Sequence, residues 1–314
     1  MSSLVYRKNH GFHIVNPSPW PILISISVFS LTFNMILYIH NYASVSSVFM
    51  KLSLFLLLLL VNGWFLSMLQ ESYELHIYTK DVENNFLFGM ILFILSETML
   101  FFAVFWTFFH SSLSPSIFIG NIWPPIGIDA LNPWKIPLLN TLLLLTSGAT
   151  VNAFYYTLKN INFIFLKKII KNYFLSLFLK KGIIHISFNN YLKHLFVNHV
   201  LKTKNNWNIL YNSLLFTMLL GAFFLLVQLY EYINAPFTIS DGIYGSTFYL
   251  STGFHGMHVL LGLLMLTYGF VRFLSGHFDF VNELHIGITC TVWYWHFVDV
   301  VWLFLFLFIY IWGN

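Results

Sequence analysis

The sequence predicts an all-α, polytopic membrane protein with seven transmembrane helices. Three observations carry this prediction. Of 314 residues, 58% are hydrophobic and 8% charged, whereas a soluble domain carries about a quarter charged residues. Mean hydropathy is +0.75, too high for a chain that must cover a globule with polar surface. Long apolar runs recur at 22–39, 52–69, 86–109, 136–158, 209–233, 243–270 and 286–312. At about 1.5 Å per residue such runs cross a hydrocarbon core of about 30 Å, the first two near the minimum length. A helix satisfies its own backbone hydrogen bonds, as lipid requires.

The elements follow in order. Residues 1–21 hold Arg7, Lys8 and three prolines without a continuous apolar stretch, so no cleavable signal is expected. Pro137 and Gly262 fall inside spans, where membranes tolerate them. The connector at 110–134 carries Pro115, Pro124, Pro125 and Pro133, and "NAPFTISDG" at 234–242 joins the fifth and sixth spans. No internal repeat is visible, so an inverted-repeat transporter is not suggested.

The segment 159–208 differs from the rest. It holds nine of the fifteen Lys and Arg residues, with apolar intervals too short to span. An interfacial amphipathic helix is one reading, and a disordered loop is the other. Seven spans place Arg7, Lys8, Lys80, the nine insert lysines and Arg272 on one side, against Lys51 and Lys135 on the other. The positive-inside bias then puts the N-terminus inside and the C-terminus outside.

Within the run 86–109 the one ionisable group is Glu97, at its middle. A charge at that depth costs several kcal/mol, so the neutral carboxyl is favoured. It is either hydrogen-bonded to a neighbouring helix or part of a proton-linked site. Ser96 and Thr98 point to other helix faces. In the sixth span His255 and His258 are spaced i,i+3 and share a face. Two histidines do not complete a metal site, and packing is the favoured reading, with Gly253, Gly256 and Gly262 marking close helix approach. In the seventh span His296 and Asp299 are also i,i+3, suited to an ion pair that lowers the cost of both in lipid. Trp312 fits an interfacial anchor.

Glu71 closes the second span and Glu231 the fifth, each read as a solvated helix end. The single Cys290 excludes an internal disulfide. No phosphate loop, Ser/His/Asp set, CxxC or nucleic-acid motif is present, and the insert lysines are better matched to lipid.

Several stretches together resemble one family: "HIVNPSPWP" (13–21), "GMILFILSETMLFF" (89–102), "FFHSSLSPS" (108–116), "WPPIGIDALNP" (123–133), "PLLNTLLLLTSG" (137–148), "NAPFTISDGIYGSTFYLSTGFHGMHVLLG" (234–262) and "WYWHFVDVVWLFLFLFIYIWG" (293–313). They resemble subunit III of cytochrome c oxidase, in order and spacing, across nearly the whole chain except about 160–205.

The resemblance implies two groups of helices, two and five, forming a V-shaped cleft that holds phospholipids. It divides the chain into 1–70 with the first two helices, a 71–85 loop, and an 86–314 bundle interrupted by the basic insert at 159–208. It implies a non-redox subunit of a proton-translocating oxidase. Subunit I would be its main contact, and haem and copper would be confined to partner subunits I and II. It implies support of assembly and stability, and of proton uptake into subunit I, with Glu97 on the family's intramembrane glutamate. Trp64, Glu71, Arg272 and His277 fall on positions bordering the lipid cleft, and His255, His258, His296 and Asp299 on structural polar positions. No cofactor, metal or catalytic residue is implied for this chain.

Localisation would be the mitochondrial inner membrane, with the N-terminus in the matrix and the C-terminus in the intermembrane space. The chain departs from the pattern at Leu66, Gln70 and Leu87, where relatives commonly carry arginine, and at Thr289, where they tend to carry glutamate. The alternatives are the equivalent subunit of a bacterial quinol oxidase and, from another class, a seven-helix proton-coupled transporter or receptor.

Overall fold

The computed structural model describes residue 13 and residues 17–40, 46–73, 78–179, 188–275 and 285–314; within these, the side chains at 46, 69, 72, 73, 161–179 and 188–205 are outside the description. Seven helices among the described residues are long and apolar enough to cross a membrane. They are α1 (Trp20–Ile39), α2 (Ser46–Tyr73), α3 (Lys80–Leu113), α4 (Ile136–Leu179), α5 (Phe188–Asn234), α6 (Ile243–Leu274) and α7 (Ile286–Leu305), the last continued as a π-helix over Phe306–Trp312. All seven expected spans are present, and the chain is a multi-pass membrane protein.

Two boundaries differ from the sequence expectation. The segment 71–85 is mostly helix, because α2 runs to Tyr73 and α3 begins at Lys80. Thr79 stands at the start of α3 with its hydroxyl oxygen 3.5 Å from the Val82 N–H, and Asp81 and Glu83 fill the first turn, where the helix dipole favours acidic groups. The insert is also different. Helix α4 continues unbroken for 44 residues and α5 for 47. At about 1.5 Å per residue, 44 residues reach about 66 Å, twice the hydrocarbon core. The lysine-rich segment is therefore built largely as extensions of two spanning helices rather than as a separate in-plane helix. Lysine is a good helix former, so nothing in its composition stops either helix at the membrane surface.

The chain divides into two compact units, Met1–Phe86 and Leu87–Asn314. In the first, α1 and α2 pack as a pair. The ring of Trp20 lies so close to Gly63 that a Cβ there would sit 2.6 Å from it. Ser27 and Ser53 are buried in this unit, and the Ser27 hydroxyl donates to the Ser53 carbonyl at 3.3 Å. Small and weakly polar residues at such contacts are how helices associate in lipid, where burying apolar surface gives no net drive.

In the second unit α7 is the most enclosed span. Trp295 and Trp302 are fully buried on it. The Trp295 ring fills the space left by Gly221 on α5 and Gly262 on α6, where a Cβ would approach it to 2.6 Å and 2.9 Å. Its indole N–H donates to the Ser147 hydroxyl on α4 at 2.9 Å. One turn pair later, the Trp302 N–H donates to the Thr141 hydroxyl, also on α4, at 3.1 Å. Further polar crossings join α4 to α5 through Thr150 and Thr217 (2.8 Å) and α5 to α6 through Tyr232 and Thr252 (2.7 Å). Such bonds fix helix register, because a slipped register would leave the same groups unpaired in an apolar interior. Gly253 and Gly256 have nothing within 4 Å of a Cβ position, so of the three glycines expected to mark close packing on α6 only Gly262 does so.

Candidate functional site

Glu97 lies on α3 and His258 on α6, and the structure brings them together. The Glu97 Oε2 is 2.9 Å from His258 Nε2. The carboxyl is 21% exposed at the edge of its unit and the imidazole 6%, so the pair reaches from the surface of the unit into the bundle. Phe101 meets the imidazole edge-on at 5.0 Å, and Tyr294 and Phe297 close around it.

The proton inventory of this pair follows from its other bond. His258 Nδ1 lies 2.6 Å from the Phe254 carbonyl. A carbonyl only accepts, so Nδ1 carries a hydrogen. Nε2 then either accepts from a carboxylic acid or, in the imidazolium, donates to a carboxylate. Either way one proton lies between Glu97 and His258, and the pair is neutral overall. That is how an intramembrane carboxyl is tolerated without a net buried charge. Ser96 and Thr98 take no part, since their hydroxyls donate to the Phe93 and Ile94 carbonyls of their own helix.

The two histidines of α6 do not form one site. His255 is buried among Phe224 and Trp302, while His258 meets α3. Among the described residues no group of three or more His, Cys, Asp or Glu side chains is placed to hold a metal. His296 Nδ1 is 3.7 Å from Asp299 Oδ2, within ion-pair reach but beyond a hydrogen bond. Its Nε2 bonds Asn152 on α4 at 2.9 Å, a partner that no spacing within α7 signals. Gly148 makes room for the Asp299 carboxyl, since a Cβ there would lie 2.7 Å from Oδ2. Trp312, half-exposed, stacks its edge with Phe108 and Phe109 at the end of the bundle.

In the first unit Glu71 is not simply solvated. The Tyr78 hydroxyl donates to its Oε2 at 3.0 Å, and His13 Nε2 lies 3.5 Å from the same oxygen. Burial and the bond to Glu71 push the Tyr78 phenol up to about 12, so it remains a donor at physiological pH. Trp64 on α2 is partly exposed. In the second unit Arg272 occupies the last turn of α6, with its Nη1 3.2 Å from where a Cβ of Gly287 on α7 would sit. His277 lies outside the described residues.

Glu231 departs most from the sequence reading. It is 2% exposed, enclosed by the bundle rather than solvated at its end. Three residues from the end of α5 its carboxyl turns inward, where the Tyr310 hydroxyl donates to Oε1 at 2.6 Å.

The family model described as cytochrome c oxidase subunit III matches residues 10–198 and 194–314. The chain belongs to the cytochrome c oxidase subunit III family. It is similar to the cytochrome c oxidase subunit 3 of Chondrus crispus, at 42% identity over 91% of this chain and 88% of that protein. It is likewise similar to those of Prototheca wickerhamii, at 42% over 91% and 92%, and Arabidopsis thaliana, at 40% over 93% and 92%. The two family matches meet at 194–198, inside the lysine-rich insert. Membership does not favour the transporter, receptor or quinol oxidase readings.

Proposed function

We propose that this chain is the non-redox core subunit III of a cytochrome c oxidase of the mitochondrial inner membrane. It supports assembly and stability of the oxidase, and proton uptake into subunit I, during electron transfer from cytochrome c to oxygen. Subunit I is its main contact, and haem and copper reside in subunits I and II. Phospholipid headgroups interact with Trp64 and Glu71 in the first unit and with Arg272 and His277 in the second. Family membership over most of the chain supports the assignment.

The observation that carries the proton-linked part is the Glu97–His258 pair. It holds one proton at mid-depth in a span. A Glu97→Gln variant tests it. The glutamine amide can donate to a neutral His258 Nε2, so the shape and hydrogen bond survive while the titratable proton is removed. We expect the oxidase to assemble with unchanged haem spectra, and initial turnover to survive with at most a modest fall in proton uptake. Complete loss of turnover in a fully assembled complex would place Glu97 on the obligatory proton path and defeat this reading.

The matrix side is assigned to the N-terminus and to the lysine-rich extensions of α4 and α5 by the distribution of Lys and Arg. Protease added to sealed inner membranes from the intermembrane side is expected to leave residues 159–208 intact. Cleavage there would reverse the topology.

A further inference from the structure

The interior of the second unit contains a polar cluster that no part of the proton-uptake reading uses. It joins Asn140 on α4, Gln228 and Glu231 on α5, and Tyr310 on the π-helical end of α7, all buried. Tyr310 O–H donates to Glu231 Oε1 at 2.6 Å, and Gln228 Nε2 to the same oxygen at 3.5 Å. Asn140 Nδ2 donates to Gln228 Oε1 at 3.2 Å. Asn140 and Glu231 are thereby held at the two ends of one amide. Each keeps one buried oxygen without a partner, Asn140 Oδ1 and Glu231 Oε2.

We propose that an ordered water molecule binds between Glu231 and Asn140. Buried polar atoms in native proteins are almost always paired, and ordered water with two to four partners is the usual agent where side chains do not meet. The site's chemistry selects water among small ligands. A neutral Glu231 offers the O–H of Oε2 and a charged one needs a donor there, while Asn140 Oδ1 needs a donor in either case. Water accepts and donates at once. A cation would call for about six or more oxygen ligands, and only two are open.

Tyr310 lies on the π-helical end of α7, where Phe306 and Ile309 are also buried, and its phenol meets Glu231 from that side. Access is short. Glu231 is three residues from the end of α5 at Asn234, about 4.5 Å along the axis, so exchange with the aqueous phase at that end of the bundle needs no path through the membrane.

A map of the intact membrane complex at a resolution that shows waters tests the proposal. The expected result is a peak within hydrogen-bond distance, about 2.6–3.2 Å, of both Glu231 and Asn140. No peak, direct contact between the two side chains, or a peak ringed by further oxygens at metal distances would each overturn it. The same map of Glu231→Gln is expected to keep the peak, because the amide offers equivalent hydrogen bonds, and that of Glu231→Leu to lose it. A peak lost in the glutamine variant or kept in the leucine variant counts against the site. If the leucine variant does not assemble, the wild-type and glutamine maps decide.

Discussion

Replacing Trp295 by alanine is expected to remove the second unit from the assembled complex. The side chain is fully buried between Gly221 and Gly262 and donates to Ser147. Large-to-small changes of this kind cost about 3–5 kcal/mol, a large fraction of the whole stability of many domains. The Ser147 hydroxyl also loses the indole N–H it accepts from, though it still donates to the Leu144 carbonyl. Steady-state level and co-purification with haem-bearing subunits are the readouts. Phe304→Ala, on the same helix but at an exposed position, is the control and should be retained near the wild-type level. Trp295→Phe should fall between them, keeping most of the ring and losing only the N–H. Equal behaviour of Trp295→Ala and Phe304→Ala would show that the α7 indole does not hold α5 and α6 together.

The second large effect concerns the Glu97–His258 pair and its sign is less obvious. His258→Leu leaves the Glu97 carboxyl without its imidazole at mid-depth. Breaking one side of a buried pair costs about 3–5 kcal/mol, whereas replacing both sides by apolar groups is often neutral. The double variant Glu97→Leu/His258→Leu is therefore expected to assemble better than His258→Leu alone, while failing any test of proton-linked function that Glu97 serves. Thermal stability of the purified complex and its proton uptake read the two effects separately. A double variant less stable than either single one would mean that the two residues act independently, and that the 2.9 Å contact contributes little.

The spans were legible because lipid demands a helix long enough to cross it, and apolar runs record that length directly. What the runs do not record is direction around the helix axis. A lipid-facing helix is apolar on both faces, so the periodicity that marks the inner face of a soluble helix is weak. Glu97 stood out by chemistry, but its partner did not. The i,i+3 spacing joined His258 to His255, while the hydrogen bond runs to a residue 161 positions away. Glu231 shows the same limit from the other side. Its place three residues before the end of α5 suggested solvent on its own. Only the turn of the carboxyl toward Tyr310 shows that it is enclosed. Tyr78 and His13 beside Glu71 were missed for a related reason, because both sit in connecting segments that carry no periodic signal. The extensions of α4 and α5 were missed because a lysine-rich helix beyond the membrane has neither the apolar run of a span nor a breaker to end it.

The order of synthesis gives the enclosed position of α7 a further meaning. Helices α3 to α6 leave the ribosome first, yet the tryptophans that fill the space among them arrive with the last span. Until translation is nearly complete, Gly221, Gly262 and Ser147 border an unfilled gap, and the five-helix unit has no means of closing early. A chain that stops at residue 285 would contain six of the seven spans and lack the piece the others are built around. An unfinished copy therefore lacks the side chain against which Gly221, Gly262 and Ser147 are fitted.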